Sequence, residues 1–375
     1  MQEKSERDPS RNVETDGPRQ SRREAIRTIA GAGGIGAVAW SAPAILSSDA
    51  AAAQTVPQPD LTGSWFAQHT LAGSQCPPFT NGAQAPFTPN ATATSWSRLA
   101  IAGNCLVWTA FGIGSNGTGT VIAVGDQNFR ARWTGCGASA TDNGQPFSGS
   151  LNTYNDIAAN GANWVAVGNQ GRIRRSSDDG VNFGNTSSQP GGAPALTFIS
   201  HDHATWIAGG GTIGLVWRST DNGANWANVS VSPTSSILQG ATYSPISNDW
   251  FVCGTVGEIW RSIDDGLTWS LHHDSGADSW TEIDANDSGT VIACAAGLGR
   301  LSRSINGGAT FSEFTIGGGT PAFNAIKAGL DVQWMAVGLA NQIWYSLDDG
   351  ATWTAASGLP SLRTWNDVTQ CDVAD

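Results

Sequence analysis

The chain has 375 residues, 40% of them hydrophobic, with 31 acidic against 19 basic side chains and a formal net charge of −12. A balance this acidic argues against nucleic acid or an anionic membrane surface as a partner. Residues 1–53 hold seven basic and seven acidic residues, so the rest of the chain keeps the whole excess, and Lys327 is its single lysine.

The first element is a leader. Ser21-Arg-Arg-Glu-Ala-Ile-Arg27 precedes an apolar, Gly/Ala-rich run to Leu46 and the small-residue stretch Ala50 to Ala53. Twin arginines, a mild apolar run and an A-x-A site predict a twin-arginine (Tat) export signal over 1–53, cut after Ala53, with a periplasmic or extracellular destination. A retained membrane anchor is the alternative, disfavoured by Pro43, several glycines and a run that barely reaches spanning length.

Residues 54–104 read as an irregular segment that helps to close the fold, through Ser64 to His69 and Ser95 to Ile101. From 105 to 375 short apolar runs bounded by Gly or Asn recur, the pattern of strands. A degenerate unit comes first, with Val121 to Gly125, Phe129 to Trp133 and a possible eroded turn at Thr141-Asp-Asn-Gly144. Five better units follow. One reads Asn155-Asp-Ile157, Trp164-Val-Ala-Val-Gly168, Arg172-Ile-Arg-Arg-Ser176.

Each of the five ends in one turn: Ser176-Ser-Asp-Asp-Gly-Val-Asn-Phe183, Ser219-Thr-Asp-Asn-Gly-Ala-Asn-Trp226, Ser262-Ile-Asp-Asp-Gly-Leu-Thr-Trp269, Ser304-Ile-Asn-Gly-Gly-Ala-Thr-Phe311 and Ser346-Leu-Asp-Asp-Gly-Ala-Thr-Trp353. Their third residues, Asp178, Asp221, Asp264, Asn306 and Asp348, recur about every 42 residues, a period of propeller blades or solenoids. The carboxylate can accept the N–H groups of the turn it opens, the glycine can take φ > 0, and the aromatic residue starts the next strand. The turn resembles the Asp-box, or BNR repeat, and the pattern is similar to that of photosystem II stability and assembly factors, more distantly to sialidase-type propellers. The resemblance implies an all-β propeller of four-stranded blades, seven in number with six as the alternative, related to WD40-like repeats in architecture. Ser361 to Val368 echoes Ser150 to Ile157, so the last strand should close the ring against N-terminal strands.

For chemistry, a sialidase would need an Arg-Ile-Pro motif, which is absent, and the three tyrosines, Tyr154, Tyr243 and Tyr345, include none marked as a nucleophile. Glycoside hydrolysis needs two carboxyl groups across the bond, and beyond the leader only Glu258, Glu282 and Glu313 are glutamates. Asp156, Glu282 and Asp367 share one repeat position and are a candidate ligand or cation site at the central channel. His201-Asp-His203 and His272-His-Asp274 fall in a turn and beyond an outer strand and read as surface loop, so no metal and no cofactor are expected.

Arg175, Arg218, Arg261 and Arg303 each precede a box serine and form an arc. In the resembling assembly factors blade arginines contribute to a basic, partner-binding patch, so these four are candidate partner-binding residues; packing between blades and pairing with box aspartates is the other reading. Six cysteines in an exported chain permit disulfides; Cys253 and Cys294 replace small buried residues, whereas Cys76, Cys105, Cys136 and Cys371 lie where a bridge could pin the ring ends. These residues predict an exported, monomeric, non-catalytic scaffold for a protein or peptide. The rival is a secreted glycan-active enzyme or glycan-binding lectin.

Overall fold

Strands buried on both faces require near-continuous apolar runs, and the second strand of each repeat supplies one. Thr120–Gly125, Asp249–Gly254, Val291–Ala295 and Trp334–Gly338 are buried at every residue. The structure, a computed structural model, describes residues 64–70, 84–87, 110–134, 147–149, 151–186, 192, 194–276, 278–356 and 364–371.

These form an all-β propeller. Seven antiparallel sheets follow one another, and their inner strands neighbour each other in a closed circle. In chain order the inner strands are Ala110–Ser115 of blade 1, Tyr154–Asn160 of blade 2, Phe198–Asp202 of blade 3, Leu238–Ser244 of blade 4, Trp280–Ala285 of blade 5, Phe323–Ala328 of blade 6 and Thr364–Cys371 of blade 7. Blades 2 to 6 have four strands; blade 1 and blade 7 have three among the described residues. The candidate turn at Thr141 to Gly144 lies outside the described residues.

Closure is shared between the two ends of the chain. The C-terminal inner strand pairs with Ser64–Thr70, Ser64 opposite Cys371 and Thr70 opposite Thr364, and Gln84–Phe87 adds the third strand. The Ser95 to Ile101 segment also expected here lies outside the described residues. Cys371 is disulfide-bonded, while Cys253 and Cys294 are buried free thiols.

Apolar residues pack between blades rather than in one central mass. Phe198, Ile207 and Val216 of blade 3 meet Trp250, Val252 and Trp260 of blade 4, and equivalent clusters join blades 1 and 2, 2 and 3, 4 and 5, 5 and 6, and 6 and 7. Burying each large side chain contributes about 1.5–3 kcal/mol, so every blade depends on the next.

The outer strand begins one residue after the box aromatic, not at it. It is two residues long in blades 2, 3 and 6, and extends to Ser270–Asp274 in blade 4 and Ser312–Thr315 in blade 5. His272 and His273 therefore lie on a strand, not beyond it.

Candidate functional site: the channel wall and the blade seams

Each box builds the same corner. Ser176 Oγ donates to Asp178 Oδ1 (2.6 Å) and accepts the Gly180 N–H (3.0 Å), and Asp178 accepts both the N–H (2.9 Å) and the side-chain amide (2.8 Å) of Asn182. In the third box Thr268 makes the same two bonds to Asp264. The Asn306 box keeps the corner with one polarity reversed, since Asn306 Nδ2 donates to Thr310 Oγ1 (2.9 Å) where an aspartate would accept. The box glycine sits at positive φ against the preceding blade: a Cβ on Gly350 would fall 2.3 Å from Ile292 Cδ1. These donors hold the carboxylates low. The Ser176 hydroxyl leads in lowering Asp178 to about 2; at Asp264 partial burial opposes the shift, yet the Thr268 and Ser262 bonds bring it to about 2.

The fourth box residue joins blades. Asp179 Oδ2 accepts Thr120 Oγ1 (2.7 Å) and Arg132 Nη2 (2.6 Å) of blade 1, its carbonyl accepts Arg132 Nε (2.8 Å), and Oδ1 accepts the Trp164 indole of its own blade (3.3 Å). Asp265 and Asp349 repeat this latch with Thr205 and Arg218, and with Thr290 and Arg303, and hold Trp250 and Trp334. Asn222 takes Arg175 Nε on its carbonyl (2.7 Å), but the buried Trp206 Nε1 beside it has no hydrogen-bond partner.

Three of the candidate arginines, Arg175, Arg218 and Arg303, thus reach into the next blade's box. Arg261 instead turns back to Asp249 of its own blade (2.6 and 3.0 Å). The pairing of these arginines between blades was one of two readings of the sequence; the role of the fourth box residue was not foreseen. Its signal was present, because Trp164, Trp250 and Trp334 accompany Asp179, Asp265 and Asp349, whereas Val291 accompanies Gly307.

At the channel, Asp156, Glu282 and Asp367 occupy equivalent inner-strand positions and are joined by Asp284 and Lys327. Each carboxylate accepts a backbone N–H of the next blade: Asp156 from Ile199 (2.8 Å), Glu282 from Ile326 (3.2 Å), Asp284 from Ala328 (2.9 Å) and Asp367 from Ile113 (2.8 Å). Where the position is glycine, the backbones close up instead. A Cβ on Gly112 would lie 2.5 Å from Asp156 Cα, and one on Gly240 2.9 Å from Glu282 Cα.

Lys327 Nζ donates to Glu282. Burial is the largest influence on the acids; offset only in part by Lys327, it raises Asp156 and Asp367 to about 7 and Glu282 to about 8. Burial works against the Lys327 ammonium too, yet Glu282, Asp284, Asp367 and Asp156 hold its pKa well above the usual lysine value. The arrangement can store a proton near neutral pH. It also binds blade to blade, so the acids are tied up as acceptors.

Among the described residues no group of three or more His, Cys, Asp or Glu is placed to hold a metal ion. His201 stacks on Trp206 (centroids 4.9 Å apart), and burial pushes its pKa down to about 4. An open groove of about 450 Å³ runs along the first box, in blade 2, lined by Arg175, Asp178, Asn182 and Asn185.

No protein-family model matches the chain, and no curated protein matches it. Solved structures do. YCF48 bound to D1 peptide is 14% identical over 73% of this chain and 97% of that one, with a TM-score of 0.55. Virginiamycin B lyase from Staphylococcus aureus is 16% identical over 66% and 84%, with a TM-score of 0.57. The Niastella koreensis GH74 enzyme is 18% identical over 66% of this chain but 37% of its own, with a TM-score of 0.52. Identities this low carry the propeller fold and leave chemistry to the site.

Proposed function

We propose that this chain is an exported, non-catalytic propeller that binds a protein or an extended peptide on the face opposite its boxes. One observation carries the reading. The connections from second to third strand in blades 3 to 6 each present an exposed aliphatic residue, Ile213 (63% exposed), Val256, Leu298 (68%) and Leu339. In an antiparallel blade these connections share an end with the variable inter-blade loops, where a repeat scaffold places recognition.

The polar side chains that could do chemistry are engaged elsewhere, the arginines at seams and corners and the channel acids on neighbouring backbone. The likeness to a propeller solved with a bound peptide supports the scaffold part of the reading; export rests on the twin-arginine leader. Selection from a displayed peptide library should yield apolar sequences, and replacing Ile213 and Leu298 together by Asp should weaken their binding at least about tenfold with the melting temperature unchanged. Binding unaffected by that change, or glycoside turnover abolished by Glu282→Gln, would overturn the reading.

A further inference from the structure

The rim of the ring is latched by Arg and Asp at four seams described above, between blades 1 and 2, 2 and 3, 3 and 4, and 5 and 6, with Asn222 standing in for Asp at the second. Between blades 4 and 5 that latch is gone. Gly307 stands at the fourth box position, so there is no carboxylate to receive an arginine, and Arg261 is held by Asp249 of its own blade.

Imidazoles take its place. His272 Nε2 donates to the Gly308 carbonyl (2.7 Å), and His273 Nε2 meets Glu313 Oε1 (3.0 Å) across the seam. Both rings lie near Phe311 of blade 5, at 6.2 and 5.6 Å between centroids. The two longest outer strands among the described residues supply His272, His273 and Glu313.

Arg300 donates to the other Glu313 oxygen and to Asp278 (2.9 Å). With His273 neutral, this group of Glu313, Asp278 and Arg300 carries one net negative charge; with His273 protonated it carries none. The remaining charged or titratable neighbours are His272 and Asp274 on the same strand and Glu258, which faces Asp274 across the sheet and accepts Trp260 Nε1 (2.9 Å).

We infer that the outer seam between blades 4 and 5 is a proton-controlled hinge, clamped when His273 is charged against Glu313 and loosened when it is neutral. The mechanism needs only that an imidazolium pairs with a carboxylate and stacks on an aromatic face more strongly than a neutral imidazole does. At the inner end of the same seam the backbones meet directly, with a Cβ on Gly240 falling 2.9 Å from Glu282 Cα, and no imidazole bridges the blades there.

Hydrogen exchange of the full chain, corrected for the intrinsic pH dependence of exchange, tests this between about pH 6 and about pH 8. Amides of 270–275 and 308–316 should exchange several-fold faster at the higher pH, while the Arg-latched rim at 216–228 and 346–355 changes less. His273→Gln keeps a donor but cannot be charged, and should abolish the extra pH response at this seam while leaving any response from the channel acids. Gly307→Asp combined with Ser247→Gly, which relieves the 3.2 Å approach of a new Cβ to Ser247 Cβ, should offer Arg261 a latch and protect the seam at both pH values. Equal response at all seams, or the same response in His273→Gln, would overturn the proposal.

Discussion

The box corners and the channel wall use the same side chain in opposite ways. Asp178 and Asp264 sit near the surface, ringed by hydroxyl and amide donors, and are driven down to about 2. Asp156 and Asp367 also accept two backbone N–H bonds each, yet burial beside other acids drives them up to about 7. Donors alone do not fix a carboxylate's charge. Solvent and the local balance of charge decide whether the same bonds hold an anion or an acid.

The largest test of this contrast removes the one cation. Lys327→Met should cost about 3–5 kcal/mol in urea unfolding at pH 8, where the channel acids ionise, because it leaves buried charge uncompensated; near pH 5 the cost should shrink. The intact protein should show the same sign. A carboxyl raised from about 4 in the unfolded chain to about 7 or 8 in the folded one stabilises fully below the lower value, and that contribution is lost as pH rises through the upper one. The box aspartates act the other way, contributing above about pH 4 and losing that contribution as pH falls toward 2. Stability should therefore peak in mildly acidic solution; a maximum at pH 8 would contradict the assignment of the channel acids.

A smaller effect tests whether the corner needs its glycine. Gly308 lies at φ +83, and a Cβ there would fall 2.1 Å from Phe251 Cζ, so Gly308→Ala should destabilise by about 2 kcal/mol through strain and overpacking, read from the shift in the urea midpoint. The smallest effect is a gain. Asn222→Asp would give blade 3 the carboxylate that accepts the indole in blades 2, 4 and 6, and should raise stability by about 0.5–1.5 kcal/mol, provided that Trp206 is present. The same change in a Trp206→Phe background should gain less, keeping only what Arg175, already bonded to the residue 222 carbonyl, draws from the new carboxylate.

Much of this was legible. Five in-register turns fix the blades, and the echo of Ser150 to Ile157 at Ser361 to Val368 points to shared closure, because repetition exposes every position that serves the repeat. The convergence of Asp156, Glu282 and Asp367 could be read from their common position. What they bind could not, since their partners are backbone N–H groups that any residue would offer. Lys327 went unassigned for the same reason that it matters, being the single exception at a position where no other blade has a cation. His272 and His273 read as surface loop because outer-strand length follows from pairing across the sheet, which sequence spacing does not reveal; His201, expected in a turn, instead lies on the inner strand Phe198–Asp202 opposite Trp206, because the strand runs two residues further than its apolar pattern.

The closing sheet sets an order of events for a chain made from its N-terminus. The edge of Ser64–Thr70 finds its inner-strand partner only when the segment Thr364–Cys371 emerges, about 300 residues later. Until then both ends of a growing arc of blades present unpaired strand edges to every other copy nearby. The strand Thr364–Cys371 thus acts as a self-supplied chaperone, and losing it should turn a closed ring into a sticky crescent even though every box is intact.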